Sequence, residues 1–453
     1  MRIRFWGTRG SIARPGPTTL RYGGNTSCVE VVADDGTWVV LDCGTGVYGL
    51  SLDLRRRGAL PARGHLLIGH AHWDHIQGFP FFDPLYDASS EWCVYAPGDR
   101  MDRLQRTFEG QMSPEHHPIA LCDLHASVRF RVLKEGAFEV GGIRVTAQYL
   151  HHPALTLGYR LEADGACFVY ASDHEPHAVS PEADGPGALP VHPEDRRHVA
   201  FLEGADLVVH DTQYTLAEYP ARRGWGHTPV ECAVDYALAA GAKSLALYHH
   251  DPDRDDEAVD ELVALARARV AAANAPLDVF AAAEGQERVL GGRSEARAVA
   301  DTGGARAPAR SAPASGASAL FPAAAVVRTV LLAEDDPAVG QPLGMLLRED
   351  GLRLVEVGAL DAALDVARRA PPSLLLLDLR VPRHDLLAAC RTLRSSADPR
   401  LQDLPILVVT GDQRGREVEE VFDAGATDHL ARPVKLTLLR SRIHGWLLRH
   451  QGR

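Results

Sequence analysis

The sequence predicts an α/β protein that is divided into two domains, and three observations lead to this prediction. Between residues 291 and 325 the composition shifts to Ala, Gly, Pro, Ser and Arg, which is typical of a flexible linker because such a segment buries little apolar surface. Before this linker, strand-like runs alternate with turns and with two amphipathic helices, at 229–240 and 255–273. After it, short apolar runs alternate with helical patterns. We therefore expect one domain over 1–290 and a second over 326–453.

The second domain has the pattern of a parallel sheet covered by helices. Its continuous apolar runs, 327–333, 374–377 and 406–409, indicate strands that are buried on both faces. In such folds, groups that bind ligands gather at the carboxyl ends of the strands. The runs end in residues that can bind a metal ion or a phosphate, namely Glu334 and Asp335, then Asp378, then Thr410.

The first domain contains a dense group of candidate metal ligands. An apolar run over 65–69 predicts a strand, and the sequence His-Ala-His-Trp-Asp-His follows it, with candidate ligands His70, His72, Asp74 and His75. Imidazole and carboxylate are the groups that zinc, iron and manganese prefer. In extended chain His70 and His72 can face one ion, while Asp74 and His75 can reach a second. The alternative is a histidine-rich surface loop, and the density of ligands favours the metal site.

This His-x-His-x-Asp-His pattern resembles the signature of the metallo-β-lactamase superfamily, and the segments 7–11, 23–27 and 41–46 are similar to that family as well. The resemblance implies an αββα sandwich with further ligands at the ends of strands. They would be His152 for the first metal, Asp173 as a bridging carboxylate and His249 for the second metal. Both histidines belong to doublets, so His151 and His250 remain alternatives, although we favour His152 before its proline and His249 at its strand end.

Two later segments, 205–213 and 226–228, resemble paired elements of ribonuclease Z and related small phosphodiesterases. The resemblance implies a metal-dependent hydrolase that acts on a small or cyclic phosphodiester with two divalent ions, which are zinc by ligand type, with manganese or iron as alternatives. Asp74 and Asp173 would orient the attacking water, and His227 would donate a proton to the departing oxygen. His210 would act in catalysis or only brace Asp211.

Two other functions remain open from the sequence. The first domain could hydrolyse a thioester or a lactone, as other members of the superfamily do, or it could bind a ligand without turnover. The Gly-His-Thr element at 226–228 argues against the first alternative, and the complete ligand set argues against the second.

The segment 326–453 resembles a response-regulator receiver domain, which implies a flavodoxin-like (βα)5 fold. Asp378 would accept a phosphoryl group from a histidine kinase or a phosphotransfer protein, and Glu334 and Asp335 would hold Mg²⁺. Thr410 and Arg432 would contact the phosphoryl group. The segment departs from the family at Arg432 (usually lysine), at His429 (usually an aromatic switch residue) and at Leu386 (usually glycine). Because arginine is a wider fork than lysine, these departures predict altered signalling.

Composition narrows the partners and the compartment. The formal net charge of −12 gives no basic footprint, which argues against extended nucleic-acid binding. Seven scattered cysteines predict reduced thiols, and neither a signal peptide nor a membrane span is expected, so we expect a cytoplasmic protein. Since the linker argues against rigid coupling of the domains, regulation is expected to act through docking or a homodimer.

Overall fold

The computed structural model describes residues 1–58, 60–98, 100–178, 186–190, 192–291, 328–378, 380–411, 420–432, 434 and 436–449. Except for Gly291, the predicted linker at 291–325 lies outside these described residues.

Two mixed sheets of seven strands each form the amino-terminal part. Their strands are β1 (Arg2–Gly7), β2 (Cys28–Val32), β3 (Trp38–Leu41), β4 (Arg63–Leu67), β5 (Glu91–Pro97), β6 (Ser127–Leu133), β7 (Gly136–Val140), β8 (Ile143–Leu150), β9 (Thr156–Ala163), β10 (Ala166–Ala171), β11 (Leu207–Asp211), β12 (Ser244–Tyr248), β13 (Asp278–Ala281) and β14 (Glu287–Val289). The strand order is β14-β1-β2-β3-β4-β5-β6 in the first sheet and β13-β12-β11-β10-β9-β8-β7 in the second.

Helices cover the outer faces of both sheets. They are α1 (Gly46–Arg57), α2 (Trp73–Ile76), α3 (Met101–Gln111), α4 (Pro193–Leu202), α5 (Val230–Ala239) and α6 (Asp256–Ala272). Helices α5 and α6 match the two helices that the sequence predicts. The short helix α2 lies inside the histidine run, where the sequence suggested extended chain only as far as His72.

Three apolar layers explain why these elements stack. Between the sheets, large side chains such as Phe5, Tyr159 and Tyr248 are fully buried. Leu50 of α1 and Phe108 of α3 pack on the outer face of the first sheet, and α4 to α6 pack on the second. Burial of apolar surface on both faces of each sheet is the main force that holds such a sandwich together. The predicted αββα arrangement is confirmed.

The carboxy-terminal part is a five-stranded parallel sheet with helices around it. Its strands are β15 (Thr329–Glu334), β16 (Arg353–Val357), β17 (Leu374–Asp378), β18 (Ile406–Thr410) and β19 (Asp428–Ala431), in the order β16-β15-β17-β18-β19. Its helices are α7 (Pro337–Glu349), α8 (Leu360–Arg369), α9 (Arg383–Arg394), α10 (Pro399–Gln402) and α11 (Leu436–Arg449). This order, 2-1-3-4-5, is that of the flavodoxin-like fold, so the predicted receiver architecture is confirmed.

The seven cysteines form no disulfide, and five of them are buried. Within the described part of the chain, every helix is too short or too polar to cross a membrane.

Candidate metal centre

Four strands of the sandwich end at one edge, and the predicted ligands follow those ends. The histidine run follows β4, His152 follows β8, Asp173 follows β10 and His249 follows β12. The structure brings all the predicted ligands together, namely His70, His72, Asp74, His75, His152, Asp173 and His249. Asp173 and His249 have positive φ angles of 61° and 59°. Such angles are uncommon for residues other than glycine and concentrate at functional sites.

The first ligand group consists of His70, His72 and His152, whose candidate ligand atoms lie within 4.8 Å of one another. His152 donates from Nδ1 to the carbonyl oxygen of Gly226 at 2.9 Å, which leaves the Nε2 lone pair directed into the group. The neighbouring His151 donates from Nδ1 to the carbonyl oxygen of Glu175 at 2.6 Å and lies outside the group.

The second ligand group consists of Asp74, His75 and His249. Asp74 Oδ2 lies 3.3 Å from His75 Nε2 and 3.2 Å from His249 Nε2. The backbone N–H of Ser11 donates to the same carboxylate oxygen at 2.7 Å and holds its orientation. His250 is turned away and donates from Nε2 to the carbonyl oxygen of Ala282.

Asp173 lies between the two groups. Its Oδ2 is 3.7 Å from His70 Nε2 and 3.8 Å from His152 Nε2. Its Oδ1 is 3.1 Å from His75 Nε2 and 3.2 Å from His249 Nε2. One carboxylate oxygen thus faces each group, which is the geometry required of a bridging carboxylate.

The residues present fit two divalent cations. His70 is 1 % exposed, and neither of its ring nitrogens has a hydrogen-bond partner among the described residues. A buried polar group without a partner is costly, and a metal ion would supply the partner. Burial lowers the pKa of His70 well below its usual range, which favours the neutral imidazole that binds metals. Around His75, burial opposes a positive charge, but Asp173 and Asp74 outweigh it and raise the pKa of His75, so the carboxylates favour a cation here.

A buried aspartate directly after β3 supports the second group, and we predicted no role for it from the sequence. The Asp42 carboxylate accepts from His75 Nδ1 at 2.7 Å, from the Tyr170 hydroxyl at 2.6 Å and from the Gly69 N–H at 2.6 Å. This contact holds the His75 ring with Nε2 toward Asp74 and Asp173. The position of Asp42 in the Leu-Asp-Cys-Gly-Thr-Gly segment was the only signal available.

We expect the substitution Asp42→Asn to lower metal affinity about 10- to 100-fold, because the residue that orients a ligand loses its charge while its shape is kept. Competition with a chelator, followed by metal analysis, measures this loss. Asp123→Asn, an exposed position, serves as the control. Equal affinity in Asp42→Asn and in the unmodified chain would contradict a supporting role.

His227 lies beside the two groups and is paired with Asp211. Its Nδ1 donates to Asp211 Oδ2 at 2.8 Å, and its ring stacks on His249 with the centroids 5.0 Å apart. Burial works against a charge on this ring, but Asp211 outweighs burial and raises the pKa of His227 to about 9. The imidazolium form therefore dominates at neutral pH, with Nε2–H as its second donor. We predicted no catalytic role for Asp211 itself from the sequence.

His210 does not join the site. Its Nδ1 donates to the carbonyl oxygen of Asp211, and its Nε2 is 2.9 Å from Nε2 of His198 on α4. Neighbouring residues of a strand point to opposite faces, so Asp211 faces the centre while His210 faces the helices. Of the two roles that we predicted for His210, bracing Asp211 agrees with this contact, and a part in catalysis stays a prediction.

Glu175 holds the loop that carries His227, and the sequence did not reveal it. This buried carboxylate accepts from the Tyr219 hydroxyl and the Gly224 N–H through Oε1, both at 2.7 Å, and from the Gly226 N–H through Oε2 at 2.8 Å. Gly226 has a φ of +90°, and a Cβ atom there would lie 2.2 Å from His152 Nδ1. Only glycine fits this approach, because any side chain would displace the His152 ring.

In the receiver, the predicted phosphoacceptor Asp378 is buried at the end of β17. It lies opposite Glu334 on the neighbouring strand β15. Burial, together with the Asp378 carboxylate, raises the pKa of Glu334 to about 7. Arg432 donates from Nε to Asp378 at 2.9 Å, and the N–H of Arg380 donates to Asp335 at 3.0 Å.

The hydroxyl of Thr410 is 2.8 Å from His429 Nε2. Burial lowers the pKa of His429 to about 4, so this ring is neutral at physiological pH. The predicted acidic group and Arg432 therefore surround Asp378, and the threonine contacts the residue at the switch position.

Both parts of the chain are similar to known protein families. Residues 37–250 match the model of the β-lactamase superfamily domain, and residues 330–444 match that of the response regulator receiver domain. The chain is 26 % identical over 302 residues to ribonuclease Z from Haloarcula marismortui, covering 59 % of this chain and 91 % of the relative.

It is 38 % identical over 120 residues to the response regulator MprA from Mycobacterium leprae, covering 26 % of this chain and 51 % of the relative, so it spans about half the length of that regulator. The solved metallo-β-lactamase fold protein YhfI from Bacillus subtilis is similar with 17 % identity and a TM-score of 0.45, over 63 % of this chain and 98 % of YhfI. The chain therefore carries a segment that matches the β-lactamase superfamily domain, followed by a segment that matches the response regulator receiver domain.

Proposed function

We propose that the amino-terminal domain hydrolyses a small or cyclic phosphodiester with two divalent metal ions, zinc by ligand type and manganese or iron as alternatives. The observation that carries this proposal is the pair of ligand groups around Asp173, with the His227–Asp211 pair beside them. Two ions held in this way supply Lewis-acid stabilisation of phosphoryl oxygens and an activated water.

The protein's own residues contribute orientation and a proton. Asp74, held by the Ser11 N–H, and Asp173 orient the water on one side of the phosphorus atom. The Nδ1–H of His227 stays hydrogen-bonded to Asp211, and His227 donates its Nε2 proton to the departing oxygen. The O–P bond to the leaving group breaks as the new O–P bond forms, and the leaving group departs as a neutral alcohol.

Charge and surface favour a small substrate over a long RNA, although one relative is named ribonuclease Z. The net charge of −12 offers no basic surface for a phosphate backbone. Two tryptophans adjoin catalytic residues and are well exposed, Trp73 at 71 % and Trp225 at 50 %. Arg222 covers one face of the Trp225 ring, 4.8 Å from its centroid, so we assign stacking on a planar substituent of the substrate to the more exposed Trp73.

The proposal is tested by metal analysis combined with parallel assays on bis-p-nitrophenyl phosphate, on cyclic nucleotides, on other cyclic phosphates and on a thioester. We expect about two ions per chain, turnover of at least one phosphodiester, and loss of that turnover after chelation. Rapid turnover of the thioester with none of any phosphodiester would overturn the proposal in favour of another hydrolase of the superfamily. Bound metal without turnover of any substrate would favour a ligand-binding protein.

We further propose that Asp378 accepts a phosphoryl group from a histidine kinase or phosphotransfer protein, with Mg²⁺ held by Glu334, Asp335 and Asp378. Mg²⁺ binds through a few carboxylates together with phosphoryl oxygen and water, and these side chains offer that set. Arg432 already pairs with Asp378 and would neutralise part of the added charge.

Beryllofluoride with Mg²⁺ mimics the phosphorylated state, and we expect the full chain to bind it. The substitution Asp378→Ala is expected to abolish binding, because the fluoride complex needs that carboxylate as its ligand. Calorimetric titration measures this, and Asp361→Ala, an exposed position on α8, is the control. If the unmodified chain fails to bind at millimolar Mg²⁺, the receiver is not a phosphoacceptor.

A further inference from the structure

The receiver packs against the hydrolase domain beside the candidate metal centre. On the receiver, four residues form what we name the receiver face, namely Phe422, Asp428, Arg442 and Trp446. On the hydrolase domain, three stacked imidazoles form what we name the histidine ladder, namely His192, His177 and His151. The Phe422 ring meets the His192 ring edge-on, with centroids 3.9 Å apart and planes at 90°.

The ladder leads from this contact to the ligand His152. His192 stacks on His177 at 4.6 Å with planes at 6°, and His177 stacks on His151 at 3.8 Å with planes at 11°. His151 directly precedes His152 in the chain. The stacked rings therefore form a continuous path from the receiver contact to the segment that carries a candidate metal ligand.

Each ring of the ladder is also held by a hydrogen bond within the hydrolase domain. His151 donates to the carbonyl oxygen of Glu175 at 2.6 Å, and His177 pairs through Nδ1 with Asp195 at 3.0 Å. His192 Nδ1 accepts from the Glu194 N–H at 3.1 Å and caps the amino terminus of α4. His177 and His192 form a separate candidate ligand group with Asp195. None of the three rings belongs to the two ligand groups around Asp173, so the proposed reaction does not explain their alignment.

Helix α11 also lies close to the segment that carries His152. Leu150, His152 and Thr156 line a cavity of about 30 Å³ together with Arg442 and Trp446 of α11. The receiver therefore lies beside the β8–β9 connection at α11 as well as beside the ladder at Phe422.

Strand β19 links the receiver face to the phosphoacceptor. Asp428, at its start, accepts from Trp446 Nε1 at 2.7 Å and lies 3.6 Å from an Arg442 nitrogen. Arg432, directly after its end, pairs with Asp378. A phosphoryl group on Asp378 would replace the single carboxylate charge by the roughly 1.5 to 2 negative charges of an acyl phosphate beside Arg432, and would act on the strand that anchors the receiver face.

We propose that the receiver face and the histidine ladder couple the phosphorylation state of Asp378 to metal binding at the hydrolase centre. Coupling between two binding sites is reciprocal, so metal at the centre must change the affinity of the receiver for a phosphoryl mimic by the same factor. This coupling rests on two parts of the proposed function, metal binding by the amino-terminal domain and phosphoryl acceptance by Asp378. It does not depend on which substrate the amino-terminal domain hydrolyses.

The test measures beryllofluoride affinity of the full chain at millimolar Mg²⁺, first with the hydrolase centre loaded with zinc and then after removal of zinc by a chelator that spares magnesium. We expect the two affinities to differ by about fivefold or more, the lower end of typical allosteric coupling. Phe422→Ala should bring their ratio close to one, because it removes the ring that meets the ladder.

A second variant and a control complete the test. His192→Asn removes a ring of the ladder but keeps a side-chain acceptor for the α4 cap, and it should also bring the ratio close to one. Met345→Ala, at an exposed side chain on α7, should retain the ratio of the unmodified chain. Equal affinities in the unmodified chain, an unchanged ratio in both interface variants, or no beryllofluoride binding would each overturn the coupling. A failure of phosphodiester turnover with bound metal would refute only the proposed reaction.

Discussion

Asp173→Asn is expected to reduce metal content from about two ions per chain to less than one and to lower phosphodiester turnover by about a thousandfold or more. Both ligand groups depend on this carboxylate, since Oδ2 faces His70 and His152 while Oδ1 faces His75 and His249. Two metal ions contribute several kcal/mol of transition-state stabilisation, and each 1.4 kcal/mol corresponds to a tenfold change in rate. Metal analysis and initial rates on the same preparation measure both effects.

Asparagine is the suitable replacement because it tolerates the left-handed backbone that Asp173 adopts. Asp164→Asn provides a matched control, because Asp164 also has a positive φ, of 57°, but lies in the turn between β9 and β10, where it pairs with the amino terminus. This variant should keep its metal and its turnover. One tightly held ion with full activity in Asp173→Asn would refute the shared bridging role.

His227→Ala is expected to keep both metal ions and to lose about 10²- to 10⁴-fold in turnover, the usual contribution of a positioned proton donor. The loss should be smaller for a substrate with a p-nitrophenolate leaving group, because that group departs without much help from a proton. Rates on an activated and an unactivated diester, together with metal analysis, measure this difference. His125→Ala, at an exposed position, is the control. A collapse in metal content would instead make His227 a ligand or a structural residue.

The pKa of His227 predicts how turnover depends on pH. Because Asp211 outweighs the opposing effect of burial and raises the pKa of His227 to about 9, the proton donor is present at neutral pH and is lost as pH rises through that value. Asp211→Asn removes the charge that holds the proton, so the alkaline fall in turnover should move to lower pH. An unchanged pH profile in Asp211→Asn would contradict the pairing.

The number of candidate ligands within a short segment explains which site residues could be predicted from the sequence. The histidine run places four candidate ligands within six residues, so no tertiary information was needed to recognise them. The single ligands His152, Asp173 and His249 depended on the family resemblance. Within the first doublet, only hydrogen-bond acceptors far away in the chain decide which histidine faces the centre. The carbonyl oxygen of Gly226 holds His152, and that of Glu175 holds His151.

Residues that act through other residues were missed for a related reason. Asp42 and Glu175 are buried acids whose partners lie far away in the chain, Tyr170 for the first and Gly226 for the second. Their neighbours in sequence carry no trace of those partners. For His210 the sequence left catalysis and bracing of Asp211 open, because the face of β11 on which its ring lies depends on packing against His198.

By itself the sequence predicted two α/β segments, their strand-and-helix patterns, the four candidate ligands of the histidine run and the acidic strand ends of the receiver, because each follows from local periodicity or from a compact motif. Only the tertiary structure decided which histidine of each doublet faces the centre, that Asp211 and not His210 pairs with His227, and that the receiver face meets the histidine ladder. These features depend on side-chain direction and on contacts between segments far apart in the chain. Composition and spacing carry no record of either, since the same local pattern is compatible with several packings.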